Sequence, residues 1–249
     1  LAQLLDEQQA GAQAIALHVA RDDRRLEAIT DGLKFFAPKI KVVPLPAWDT
    51  VPYDRIGPNP EIVATRVASL ARLLASQRKQ PTLVLTTANA ILQRLPPREF
   101  IRRSLKVLAA GQRMDMGELV RRLELAGFQR TGAVMETGEY AVRGGILDLF
   151  PPGRTQPVRL DFFGDTIEHI KAFDPETQRT AKVVQKLTLM PISEVAFGEA
   201  AEKRFRGNYI AAFGAPTSED ELYEAVSAGR RYPGMEHWLP LFHEGLETL

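Results

Sequence analysis

The sequence predicts an α/β protein, a parallel sheet covered by helices, carrying an inserted α+β domain rich in hairpins. Three observations lead there. Short apolar strands alternate with amphipathic helices up to Pro96–Pro97, the pattern of strand–helix–strand units in a parallel sheet. From Gln129 to about Thr188, short strands and turns dominate instead. Beyond Met190–Pro191 a helical pattern returns, punctuated by Pro216, Pro233 and Pro240.

The elements follow in order. Residues 15–20, IALHVA, read as a buried strand. Asp22 or Asp23 caps the next helix, with Leu26, Ile29 and Leu33 at helical spacing and Pro38 as its stop. Ile40 to Leu45 is a second apolar strand, followed by the loop PAWDTVPYDRIGPNP. Asn59–Pro60–Glu61 starts a helix, since it supplies a capping residue, a proline at the first helical position and an acid in the first turn. Val63, Val67, Leu70 and Leu74 form its apolar stripe, Pro81 follows, and TLVLTT at 82–87 is the third strand. Asp115 to Ala126 reads as a helix with a capping-box pair, Asp115 and Glu118, and a glycine stop at Gly127. Two later helices are expected over Glu194 to Tyr209 and Glu219 to Ala228, the second ending at Gly229.

Composition narrows the function. The 249 residues suit two domains. A net charge of +1 gives no global pull toward nucleic acid or membrane. With no cysteine, disulfides, thiolate nucleophiles, zinc fingers and iron–sulfur clusters are excluded, and a cytoplasmic location is expected. No apolar run approaches the roughly 20 residues that span a bilayer. Because it begins at Leu1 rather than Met, the chain reads as a fragment, with no signal peptide expected.

Catalytic motifs are missing. No GxxxxGK[ST] loop occurs, so no phosphate cradle is expected. No strand ends in an acid pair of the metal-binding helicase type, and there is no GxSxG elbow. His18, His169, His237 and His243 do not stand at metal-ligand spacing. The loop with Trp48 and Tyr53 and the His237–Trp238 pair stand out, and Trp48 and Trp238 read as packing residues where loops meet the sheet.

The stretch EYAVRGGILDLFPPGRTQPVRLDFF, from Glu139 to Phe163, stands out. It reads as two strands joined by a Pro/Gly turn, with Gly144–Gly145 as a bulge inside the first. Alternation sends Val158, Leu160 and Phe162 to one face and Arg159, Asp161 and Phe163 to the other. Tyr140 and Val142 likewise oppose Arg143. Asp148 and Asp161 read as solvated, or salt-bridged to the neighbouring arginines, rather than as a catalytic carboxylate pair. Residues 98–160 hold eleven Lys/Arg against seven Asp/Glu, a net +4, which allows DNA contact. A solvated helix face with a few protein-facing arginines is the simpler reading. The following residues reverse the sign, and a mixed patch with arginine and an exposed aromatic is typical of a protein–protein surface.

The segments LPAWDTVPYDRIGPNPEIVATRVASLARLL, GEYAVRGGILDLFPPG, VRLDFFGDTIE and AVSAGRRYPGMEHWLPLF resemble, in order, the N-terminal region of the bacterial transcription-repair coupling factors (Mfd). The middle two are shared with the excision-repair subunit UvrB. The resemblance implies a UvrB-like module in three parts. Residues 1–97 would be the first part of a degenerate helicase-like α/β domain that has lost its nucleotide loop, 98–190 a UvrA-binding α+β domain, and 191–249 a second part packing on the first. It implies UvrA contacts at Arg143, Arg159 and Phe163, and no catalysis, cofactor or metal in this fragment. Where UvrB carries a damage-probing insert, this chain has only the short loop around Trp48–Pro58, so lesion verification is not expected of it. The resemblance further implies a parent that is an ATP- and Mg-dependent double-stranded DNA translocase displacing stalled RNA polymerase. A UvrB-like nucleotide-dependent enzyme and a DNA-binding module are the alternatives. Masking of the UvrA face by another domain of the parent is a further expectation.

Overall fold

The computed structural model describes residues 15–52, 54–74, 81–217 and 219–249. Tyr53, singled out with the aromatic loop in the sequence, and Ala14 lie outside them.

The first layer is a parallel sheet in the order β1 (Ile15–Ala20), β3 (Thr82–Thr87), β2 (Lys41–Leu45). Every residue of the central β3 is buried, as a strand covered on both faces must be. Pro44, which cannot donate to a ladder, sits in β2, paired on one side only. Helix α1 (Asp23–Phe36) starts where expected, with Asp22 accepting the Arg25 amide at 2.9 Å. Its Leu33, with Leu26 and Ile29, packs on Leu83 and Leu85. Helix α2 (Pro60–Leu74) covers the other face, placing Leu70 and Ala71 on Leu45 and Val84. Two short helices missed in the sequence follow β3: α3 (Ala88–Leu92) and α4 (Arg98–Ser104). Ile101 of α4 joins the Leu45–Leu70 cluster.

The inserted unit begins with a ribbon of β4 (Lys106–Ala109) against β11 (Lys186–Leu189). Helix α5 (Met116–Leu125) is capped by Asp115, which accepts the Glu118 amide at 2.7 Å. A six-stranded sheet follows: β5 (Gln129–Arg130), β6 (Glu139–Arg143), β7 (Ile146–Leu149), β8 (Val158–Phe163), β9 (Thr166–Phe173) and β10 (Thr180–Val183), neighbours in chain order. Leu119 and Leu123 of α5 pack against its inner face, made by Tyr140, Leu147, Leu149, Val158, Leu160, Ile167 and Ile170. These side chains are almost fully buried, and burying each contributes roughly 1.5–3 kcal/mol relative to exposure.

Two expectations are corrected here. Glu139–Phe163 forms three strands, not two. Gly144–Gly145 is not a bulge but a two-residue hairpin turn: Arg143 pairs with Ile146, and Gly144 takes φ 59°, the positive value such turns demand. The register shift lies instead between β8 and β9, where Asp161 faces His169 but Phe162 faces Ile167. The extra residue is on β9, so alternation along β8 survives.

The C-terminal part holds α6 (Glu199–Phe213), α7 (Glu221–Ser227), a 3₁₀ turn (Met235–Trp238) and α8 (Leu239–Phe242). Phe205, Tyr209, Val226, Met235, Leu239 and Phe242 form its core, with Trp48 and Trp238 packed against it, the packing role expected of both. The helix expected from Glu194 starts at Glu199 instead. Glu194 is fully buried in an ion pair with Arg66 within an irregular, bent segment, and Gly198 (φ 120°) turns the chain into the helix. The chain end returns to the first layer, where Leu95 and Glu247 exchange backbone hydrogen bonds at 2.9 Å.

Candidate protein-docking face

The site is the outer face of the six-stranded sheet. Antiparallel partners share a face, so one row crosses the sheet as Ala141, Asp148, Arg159 and Lys171, and the next as Arg143, Ile146, Asp161 and His169. Alternation therefore brings Arg143 and Arg159 to one surface, as read from the sequence.

Asp148 organises that surface. Its carboxylate is completely buried and accepts Arg159 twice, from Nε at 2.8 Å and from Nη2 at 2.9 Å. It also accepts Arg143 Nη2 at 2.7 Å. Such two-pronged arginine–carboxylate contacts are the strong, geometrically specific kind. Asp148 in turn holds the Arg159 guanidinium above its ordinary pKa, against an opposing desolvation. Asp161 accepts Lys171 at 2.7 Å. Asp148 is thus salt-bridged to the neighbouring arginines, as expected, whereas Asp161 pairs with a lysine.

The face is less open than alternation alone suggested. Val134, Ala141 and Phe173 make a second small core on it, with Phe150 packed alongside. Arg159 stacks over Phe173, its Cζ 4.9 Å from the ring centre, and only 18% of its side chain is exposed. Arg143 keeps 50% exposure, and its remaining N–H groups have no partner among the described residues. Phe163, the last residue of β8, is 80% exposed, while Phe162 turns inward onto the core. The structure therefore offers Phe163 and Arg143 outright and Arg159 by its edge.

Sequence reasoning missed two contributors. Gln178, at φ 59°, puts its carbonyl 3.4 Å from Arg159 Nη1. Arg113 reaches across to the β8–β9 turn and grips Asp165 at 2.6 Å. That contact raises the Arg113 pKa and lowers that of Asp165. No local pattern marks either residue, because both act on strands distant in sequence. Elsewhere in the basic 98–160 segment, Arg98 pairs with Glu247, and Arg102 and Arg103 pair with Glu99. A cleft of about 620 Å³ lies between α4, α5 and residues 191–197, away from this face. No helix among the described residues is long and apolar enough to cross a membrane.

The UvrB interaction domain family matches residues 107–195, which contain the whole face. Along the chain, similarity runs to transcription-repair-coupling factors. That of Escherichia coli K12 is 35% identical over 224 residues, covering 90% of this chain and 19% of the relative. That of Haemophilus influenzae is 36% identical over 205 residues, covering 82% and 18%, and that of Myxococcus xanthus 36% over 244 residues, covering 93% and 20%. The chain thus spans about a fifth of the length of these relatives. On this evidence the chain belongs to the transcription-repair-coupling factor family, as a UvrB-like N-terminal module of it.

Proposed function

We propose that this module recruits UvrA to stalled transcription sites in nucleotide excision repair, without catalysis or cofactor of its own, and that Arg143, Arg159 and Phe163 carry the contact. The observation that carries the reading is Phe163, a large aromatic left 80% exposed at the end of β8, on the same sheet face as the half-exposed Arg143. Aromatic residues and arginines are the usual anchors of protein interfaces, and truncating one typically costs about 2–4 kcal/mol of binding. Phe163 would fill an apolar socket on UvrA, and the arginines would meet its carboxylates or carbonyls. In this reading residues 1–97 and 191–249 build the degenerate helicase-like domain, and 98–190 the UvrA-binding domain. The whole protein would be a cytoplasmic ATP- and Mg-dependent translocase on double-stranded DNA that displaces RNA polymerase.

Titrating purified UvrA against the 249-residue chain tests this. Binding by the unaltered chain, weakened at least tenfold in a folded Arg143→Ala, Phe163→Ala variant, is the expected result. Equal binding by both removes the site assignment.

A further inference from the structure

We propose that Asp148 is the positioning residue of the docking face: a buried carboxylate that fixes the directions in which Arg143 and Arg159 meet the partner. The inference deepens the UvrA-docking reading and rests on it.

Asp148 stands in the middle of β7, with its side chain on the outer side of the sheet and 1% exposed. Its row neighbour Ala141 is buried with Phe173 and Val134, so an apolar side chain would suit the spot. Replacing a buried ion pair by apolar residues of like volume is often neutral for stability or better. A carboxylate here does what a leucine cannot, because it gives two flexible cations one fixed acceptor. Arg159 takes it through Nε and Nη2, Arg143 through Nη2 alone.

A second set of contacts closes on Arg159 from the far side. Gln178 holds the left-handed backbone that non-glycine residues seldom adopt (φ 59°). Its side-chain amide donates to the carbonyls of Val134 at 3.1 Å and Pro175 at 2.6 Å, which aims its own carbonyl at Arg159 Nη1. With the Phe173 ring beneath, the guanidinium is fixed before any partner arrives. Ordering side chains in advance lowers the entropic cost of binding.

The sign of one substitution separates positioning from simple attraction. Asp148 places a negative charge under a cationic face. If net charge alone drew an acidic partner, removing that charge would tighten binding and speed association. If direction matters, removing it loosens the complex.

The test uses the full chain, purified UvrA and surface-immobilised kinetics on six proteins: unaltered, Asp148→Asn, Arg143→Ala, Phe163→Ala, and Asp148→Asn combined with each of the last two. Expected for Asp148→Asn is dissociation faster by roughly tenfold with association unslowed, because lost contact geometry appears mostly in the off-rate. A partly unfolded sample would lower the binding-competent fraction and leave the off-rate alone. Asp148→Asn should cost less in the Arg143→Ala background than alone, and its full amount in a Phe163→Ala background, since coupling belongs to residues in contact. If Asp148→Asn fails to fold, Gln178→Gly, which removes the side-chain amide that aims the Gln178 carbonyl at Arg159 without touching a charge, should speed dissociation in the same way. Binding by folded Asp148→Asn as tight as or tighter than the unaltered chain, while Arg143→Ala weakens it, overturns the positioning role alone. No binding of UvrA by the unaltered chain overturns the docking reading itself.

Discussion

Arg66 and Glu194, 128 residues apart in sequence, form an ion pair with both side chains fully buried. The Arg66 guanidinium donates from Nε to Glu194 Oε1 at 2.5 Å and from Nη1 to the Pro46 carbonyl at 2.6 Å. Trp48 Nε1 donates to the same carboxylate at 3.2 Å. One pair thus ties α2, the loop after β2 and the segment leaving the inserted domain into a single unit.

Removing one member leaves the other buried and uncompensated. Glu194→Ala should therefore destabilise the chain by about 3–5 kcal/mol, read from urea denaturation. Replacing both, as Arg66→Met with Glu194→Leu, should recover most of that loss. A single variant within about 0.5 kcal/mol of the unaltered chain, the usual range of surface changes, would contradict this account.

The two turn glycines should respond differently. Gly144 has open space around its α-carbon but φ 59°, a conformation that Asn tolerates. A side chain on Gly145 would meet the Phe162 carbonyl oxygen at 3.0 Å, where the Phe162 amide already donates to the Gly145 carbonyl at 2.8 Å. Gly144→Asn should cost under about 1 kcal/mol, and Gly145→Ala about 1–3 kcal/mol. Thermal denaturation of the two variants measures the order, and the reverse order would refute it.

Arg231 joins the C-terminal part to the inserted domain. Its Nη2 donates to the Leu125 carbonyl at 2.9 Å, at the C-terminus of α5, where a cation is favoured. Its Cζ lies 4.7 Å from the Phe197 ring centre. Burial pulls its pKa down to about 10, so it stays charged at neutral pH. Arg231→Ala should speed amide exchange at the C-terminal turn of α5 and leave β7 and β8 unchanged. Uniform protection across both regions would show that the contact holds nothing in place.

His243 predicts a pH response. It is nearly fully buried, and its Nε2 lies 2.9 Å from the Glu194 carbonyl oxygen. Burial lowers its pKa from 6.5; Arg204 adds to that, while the Glu194 carbonyl and carboxylate oppose it. The unfolded chain then takes up the proton first, so this contribution to stability is complete above the ordinary value and is lost as pH falls through the lowered one. Denaturation midpoints should drop between about pH 7.5 and about pH 5 by more in the unaltered chain than in His243→Asn. Equal drops would assign the effect to other groups.

Much of this was legible in the sequence because it rests on local rules. Asp22, Asn59–Pro60 and Asp115 announced their helices, and the alternation of Arg159, Leu160, Asp161 and Phe162 announced the faces of β8. What was not legible depends on contacts distant in sequence. Glu194 reads as a helix start until Arg66 captures it. Gly144–Gly145 fits a bulge as well as a turn until Arg143 pairs with Ile146. The outer face reads as open because nothing near Arg159 shows that Val134 and Phe173 cover part of it.

Photo-cross-linking tests the central claim most directly. Phe163 and Phe36, at the far end of α1, are equally exposed, at 80% and 81%, so exposure alone cannot distinguish them. With p-benzoylphenylalanine placed at position 163 or at position 36 of the chain and purified UvrA added, the docking account predicts a UvrA adduct from position 163 and none from position 36. Adducts of equal yield from both, or from position 36 alone, would contradict it.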